Sequence, residues 1–176
     1  MASNRDGAGL DEATLSRLYT KLEKPMFNVV YRWLWNASDA QEVTQDAFIK
    51  VWDARDRVDV ATVEPLLYRT ALNLASNRRR SSRLWRWVGL EAASEVTSRA
   101  PTSEEALAEA RTAERVRAAI DALPERLREV IVLAEYADLS HGEIAATLGI
   151  PVGTVGSRRN AALAQLAEAL GPIEEP

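Results

Sequence analysis

The chain of 176 residues contains no cysteine. Disulfides, thiolate metal sites and a cysteine nucleophile are therefore excluded. Histidine occurs once, as His141, one residue after a strong helix-capping serine. An imidazole at that position reads as an exposed, idle side chain, and a single histidine leaves little from which to build a metal site. No apolar run is long enough to span a bilayer, and the leading stretch MASNRDGAGLDEAT lacks the charged-then-apolar pattern of a secretory signal. A cytoplasmic location is expected. Alternation at period two is nowhere sustained, so no strand is expected, and there is neither an internal repeat nor a low-complexity tract. These gaps remove the usual residues of most enzyme classes. No catalytic residue, metal, cofactor or small-molecule substrate is expected.

What is present is helical periodicity and an uneven charge. Hydrophobic residues make up 47% of the chain, ample for packed cores, and the net charge is -4. That mild acidity conceals a split. Arg69, Arg78, Arg79, Arg80, Arg83 and Arg86 crowd one stretch, whereas Glu104, Glu105, Glu109, Glu114, Asp121, Glu125 and Glu129 weigh the other way. Such a split lets one surface meet phosphates while another meets a basic protein.

Apolar spacing of three and four predicts an all-α fold of two small helical domains joined by a flexible linker, with boundaries at 10–86, 87–102 and 103–170. A first helix is expected over about Glu12 to Trp35, kinked or divided at Pro25. Ser38 with Gln41 has the spacing of a capping box and opens a second helix; a third follows Pro65. The small and polar stretch VGLEAASEVTSRAP reads as the linker, after which Thr102 with Glu105 caps a further helix containing Leu107 and Ile120. Pro124 opens the next. The apolar surface of LWRWVGL is expected to pack in the first domain or to be covered by an inhibitory partner.

The last of these patterns, LSHGEIAATLGIPVGTVGSRRNAALAQL, carries the most local information. Ser140 with Glu143 forms a capping box, Gly149 stands where a helix ends in a left-handed turn, and Pro151 suits a new helix start. Val155, Ala162, Leu163, Leu166 and Leu170 give the second helix an apolar face. This is a helix-turn-helix, whose second helix can enter a major groove. A glycine costs a helix about 1 kcal/mol relative to alanine, so Gly153 and Gly156 in a first turn point to close backbone approach, as to a phosphate. A plain helical hairpin remains the alternative.

Two further constellations carry chemistry. Asp39, Glu42 and Asp46 share one helix face as an acidic stripe, either a solvated surface or a docking face for a basic partner. Tyr68, Arg69, Asn73, Asn77, Arg78, Arg79 and Arg80 combine an aromatic, amides and guanidiniums, the composition that unpaired DNA requires. From the residues alone, a helix-turn-helix regulator that binds duplex DNA as a dimer stays open.

In their order, SDAQEVTQDAFIKVW, LLYRTALNLASNRRR and the segment LPERLREVIVLAEYADLSHGEIAATLGIPVGTVGSRRNAAL resemble a bacterial RNA polymerase sigma factor of the extracytoplasmic function (ECF) group of the sigma-70 family. The resemblance implies that Asp39, Glu42, Gln45 and Asp46 dock on the clamp helices of the polymerase beta-prime subunit. It implies that the loop from Arg57 to Glu64 captures a flipped base of the minus-10 element, with Tyr68, Arg69, Asn73, Asn77, Arg78, Arg79 and Arg80 on the adjoining DNA-facing helix. Thr154, Ser157, Arg158, Arg159 and Asn160 would serve the minus-35 element. Implied partners are core RNA polymerase, including its beta flap, promoter DNA and an anti-sigma factor. This chain departs from the family at Gly156 and Ala161, where basic residues are usual, at Leu66 and Leu72 in place of a frequent tryptophan and arginine, and at Asn77 in place of a frequent aspartate. The departures at Gly156 and Ala161 imply fewer phosphate contacts. Only GPIEEP follows Leu170, so no regulatory C-terminal extension is expected.

Overall fold

The computed structural model describes residues 9–87 and 104–171. The expected linker from residue 88, the Thr102 cap and the apolar side chains of LWRWVGL lie outside the described residues. Helix α1 (Glu12–Leu34) starts where the Asp11 carboxylate accepts the Thr14 amide at 2.7 Å and ends at Trp35 in a left-handed conformation. Pro25 does not divide it. Leu22, Met26 and Val29 are buried on both sides of the proline, and packing against a common core holds the helix together across the missing amide.

Helix α2 (Ala37–Asp53) is capped by Asn36, whose side chain accepts the Asp39 amide at 3.0 Å. The expected Ser38 cap is therefore displaced: asparagine is itself among the strongest caps, and a start two residues earlier leaves Ser38 in the first turn. Two short 3-10 turns, Arg55–Arg57 and Val60–Thr62, lead into helix α3 (Val63–Trp87). Pro65 sits in the first turn of α3, where its missing N–H leaves no bond unmade. Helices α1, α2 and α3 pack pairwise. Their core includes Met26, Phe48 and Leu67, with Tyr19 edge-on to Phe48 at 4.9 Å.

The second half comprises helices α4 (Glu104–Ala122), α5 (Glu125–Tyr136), α6 (His141–Leu148) and α7 (Val152–Leu170). Helix α7 packs on α4, α5 and α6 around Val130, Leu133, Ile144 and Val155. One residue expected on an apolar face is instead open, Leu163 at 39% exposed, and Leu107 of α4 is likewise 41% exposed. Helix α7 buries only the narrow stripe of Val155 and Ala162.

The two halves are in contact. Helix α3 packs against α6, and α1 against α4 and α5, so that a single cluster of buried side chains runs from Leu10 to Ala162.

Candidate nucleic-acid and polymerase interfaces

Local chemistry builds the helix-turn-helix as its residues require. The Ser140 hydroxyl accepts the Glu143 amide at 3.3 Å, and the Glu143 carboxylate accepts the Ser140 amide at 2.8 Å. The same hydroxyl and amide hold the Glu143 carboxyl below its ordinary range. Gly149 closes α6 with φ of 65°, a conformation that penalises any side chain. Pro151, extended, hands the chain to α7.

At the start of α7 the residues divide by role. Gly153 faces open space, since a Cβ there would meet nothing within 4 Å. Ser157 and Asn160 are exposed, while Thr154 and Arg158 are half-buried. The Ser157 hydroxyl donates to the Thr154 carbonyl at 3.0 Å. Arg159 behaves differently: its guanidinium donates to Glu135 of α5 at 2.7 Å and so ties α7 to its neighbour.

On α2, Glu42, Gln45 and Asp46 are exposed and Asp39 is half-buried. Asp39 and Glu42 already hold a cation. The Arg78 guanidinium of α3 donates to Asp39 at 2.6 Å and to Glu42 at 2.5 Å. The bond to Asp39 is the main reason that the Arg78 guanidinium is pushed above its ordinary range. The structure thus joins two groups of residues that the sequence assigns to different partners.

Arg69, Arg79 and Arg80 of α3 are also engaged. Arg80 donates to the Asn77 amide oxygen at 2.7 Å, and Arg79 reaches Asp121 of α4 at 3.0 Å. Arg69 donates to the Thr147 carbonyl of α6 at 3.2 Å. Tyr68 is 1% exposed, and burial pushes its phenol pKa upward. Asn73, Asn77 and Arg57 remain exposed. Arg57 belongs to the 3-10 turn Arg55–Arg57.

Several important residues carry no mark in the sequence. Arg128, 5% exposed, donates to the carbonyls of Ile120, Asp121 and Leu123 and so satisfies the C-terminal end of α4. Its guanidinium also lies 5.3 Å from the centre of the Trp33 ring of α1. Arg32 of α1 stacks 4.7 Å from the ring of Tyr136 of α5. Trp35 donates its indole N–H to Asp121 at 3.2 Å. An arginine in an acidic helix reads as a surface charge, and only its long-range partners say otherwise.

The chain therefore presents a three-helix bundle with an acidic face and a basic helix, followed by a helix-turn-helix. Two family models match it in this order, sigma-70 region 2 over residues 18–84 and sigma-70 region 4 over residues 113–166. It is similar to the ECF RNA polymerase sigma factor SigW of Bacillus subtilis, 31% identical over 76% of each chain. It is 32% identical to the RNA polymerase sigma-H factor of Pseudomonas aeruginosa over 93% of this chain and 89% of that one. A match to SigE of Mycolicibacterium smegmatis, 33% identical, spans 82% of this chain but only 57% of that protein. Among solved structures, CnrH in complex with the cytosolic domain of CnrY superposes with a TM-score of 0.66 at 25% identity, covering 91% of this chain and 89% of that one. The chain belongs to the ECF group of the sigma-70 family.

Proposed function

We propose that the protein is a promoter-specificity subunit in the cytoplasm: it binds core RNA polymerase, recognises minus-35 and minus-10 elements and promotes DNA opening at the start of transcription. The observation that carries this reading is the helix-turn-helix itself. A fully formed capping box, a left-handed Gly149 and a bare first turn around Gly153 present the N-terminal end of α7 to a ligand. That end combines helix-dipole attraction for phosphate with side chains that reach base edges.

In this reading residues 10–86 form the polymerase and minus-10 module, 87–102 the linker and 103–170 the minus-35 module. Thr154, Ser157, Arg158 and Asn160 face the minus-35 duplex, and Arg159 positions α7 through Glu135. Exposed Asn73 and Asn77, with Arg57 and Arg80, serve the unpaired minus-10 strand; Tyr68, Arg69, Arg78 and Arg79 join them when their present partners give way. Flipping a base out of the stack costs a few kcal/mol, which stacking and hydrogen bonding in the protein offset. The acidic face of α2 docks on basic helices of the polymerase beta-prime subunit, the helix-turn-helix module sits near the beta flap, and an anti-sigma factor restrains the whole. The names of related complexes support the last point, since CnrH was solved with CnrY and RpoE of Bartonella quintana with the anti-sigma factor NepR.

Co-purification with core polymerase tests the docking face. Charge reversal at Asp39, Glu42 and Asp46 is expected to abolish recovery of the complex. Asp46→Lys alone, at a residue outside the Arg78 pair, should weaken it while leaving thermal unfolding unchanged. Unchanged recovery of the triple variant would remove the docking face from the account.

A further inference from the structure

We propose that Gly9 and Leu10, the two residues ahead of the α1 cap, are positioning residues for minus-10 recognition: they brace the loop of two 3-10 turns that carries Arg57 and set where it meets an unpaired base. The inference rests on reading that loop as a minus-10 contact and adds the element that fixes its place.

The loop makes its own shape. In the first turn the Arg57 amide donates to the Ala54 carbonyl at 2.9 Å and the Val58 amide to the Arg55 carbonyl at 3.3 Å. In the second, the Asp59 carboxylate accepts the Ala61 amide at 2.9 Å and the Asp59 carbonyl accepts the Thr62 amide, also at 2.9 Å. These bonds all join near neighbours in the chain. They define two short turns without fixing how the loop stands on the helical bundle.

Its attachments to the bundle are few. Val58 is buried in the common core, and the Arg55 guanidinium donates to the Trp52 carbonyl at 3.2 Å while lying 4.7 Å from the centre of the Trp52 ring, which ties the loop to the end of α2 that it leaves. Beside the second turn a cleft of about 270 Å³, lined by Val60 and by Leu18 and Lys21 of α1, interrupts the packing. A backbone bond from outside the loop comes from Leu10, whose amide donates to the Arg55 carbonyl at 3.3 Å. That carbonyl therefore serves both Leu10 and Val58. A shift of the first bond is felt in the turn that the second closes, and Arg57 lies within that turn.

The residues before α1 are suited to bracing. Leu10 is 2% exposed although it lies outside every helix. It directly precedes the Asp11 cap, and Leu15 packs on the same core one turn into α1, the spacing of a hydrophobic staple that fixes the angle at which a chain enters its helix. Gly9 supplies room. Its φ lies outside the left-handed region, so backbone conformation does not demand glycine there. A Cβ at Gly9, however, would stand 3.1 Å from the Arg55 carbonyl oxygen and 3.7 Å from the Asp56 Cα, so a side chain must push this part of the loop by a few tenths of an ångström. Shifts of that size matter to base reading, because hydrogen bonds weaken steeply outside a narrow range of distance and angle. Cap, staple and close approach thus carry the fixed start of α1 to the loop.

Base preference, not total activity, tests the brace. Core polymerase with each form of the full chain initiates on a promoter identified by mapping transcript starts on fragmented genomic DNA, and on copies of it in which each minus-10 base is replaced in turn. Leu10→Ala and Gly9→Val should each narrow the ratio between the best and worst minus-10 copies by about fivefold or more, while discrimination against scrambled minus-35 DNA and recovery on core polymerase stay at the parent's level. Leu10→Met, which keeps a buried apolar side chain, should match the parent. A merely structural role would lower initiation alike on all copies and leave the ratio intact. That result with Gly9→Val, a substitution that removes nothing from the core, overturns the brace whether or not Leu10→Ala folds. A parent that initiates alike on every minus-10 copy overturns the reading of the loop instead, and the brace with it.

Discussion

Glu129 lies half-buried on α5 within the fields of two arginines that the proposed function assigns to different DNA elements, Arg158 and Arg69. Burial, followed by repulsion from Glu125, nevertheless raises its carboxyl above the ordinary range; the two arginines only partly oppose this. An acid with a raised folded-state pKa contributes stability while it is protonated. That contribution is complete below the unfolded value of about 4.5 and is lost as pH rises through the folded value. At neutral pH the ionised Glu129 is therefore a net cost. Glu129→Gln should raise the thermal unfolding midpoint at pH 7 to 8, and the advantage should vanish below about pH 4, where the parent side chain is protonated in both states. A midpoint at pH 7 equal to or below the parent's would show that attraction to Arg158 and Arg69 outweighs burial. Neither this role nor that of Arg128 is legible in the sequence, because each depends on groups brought near by folding.

At the scale of elements, α6, the turn and α7 were the most legible part of the chain. Capping boxes, left-handed glycines and proline starts are decided within four or five residues, and Ser140, Gly149 and Pro151 all adopt the expected geometry. Helix α2 shows where such local reading slips: Ser38 and Gln41 fit the box, but Asn36 caps the Asp39 amide and starts the helix two residues earlier. Pro25, which does not divide α1, and Leu163, which lies open, differ from a purely local reading for the opposite reason. One is held in a helix by its buried neighbours, and the other is left outside because α7 has too few partners to cover its whole apolar face. The prediction at this scale concerns the exposed end of α7. Arg158→Ala should weaken binding of minus-35 duplex by about 1 to 3 kcal/mol, the range for a guanidinium that reads a guanine, as measured by titration of the polymerase complex at fixed salt. Thermal unfolding of the variant separates this loss from damage to the fold. Equal affinity for intact and scrambled minus-35 DNA in the parent would remove the basis for the prediction.

For the whole molecule, helical periodicity revealed which faces are buried but not what buries them. The expectation of two helical modules in family order agrees with the two family matches. The packing of α6 on α3 and of α5 on α1 was not legible, because the residues that join the halves (Arg69 with Thr147, Arg79 with Asp121, Arg32 with Tyr136) lie far apart in sequence. Two of the arginines that composition places for phosphates, Arg69 and Arg79, are among the residues that hold the halves together. Mapping of transcript starts made by purified core polymerase, with and without this chain, on fragmented genomic DNA tests the central claim most directly. The account predicts a discrete set of new starts that appear only with the protein and share two short upstream elements at fixed spacing. An identical set of starts in the two reactions would contradict it.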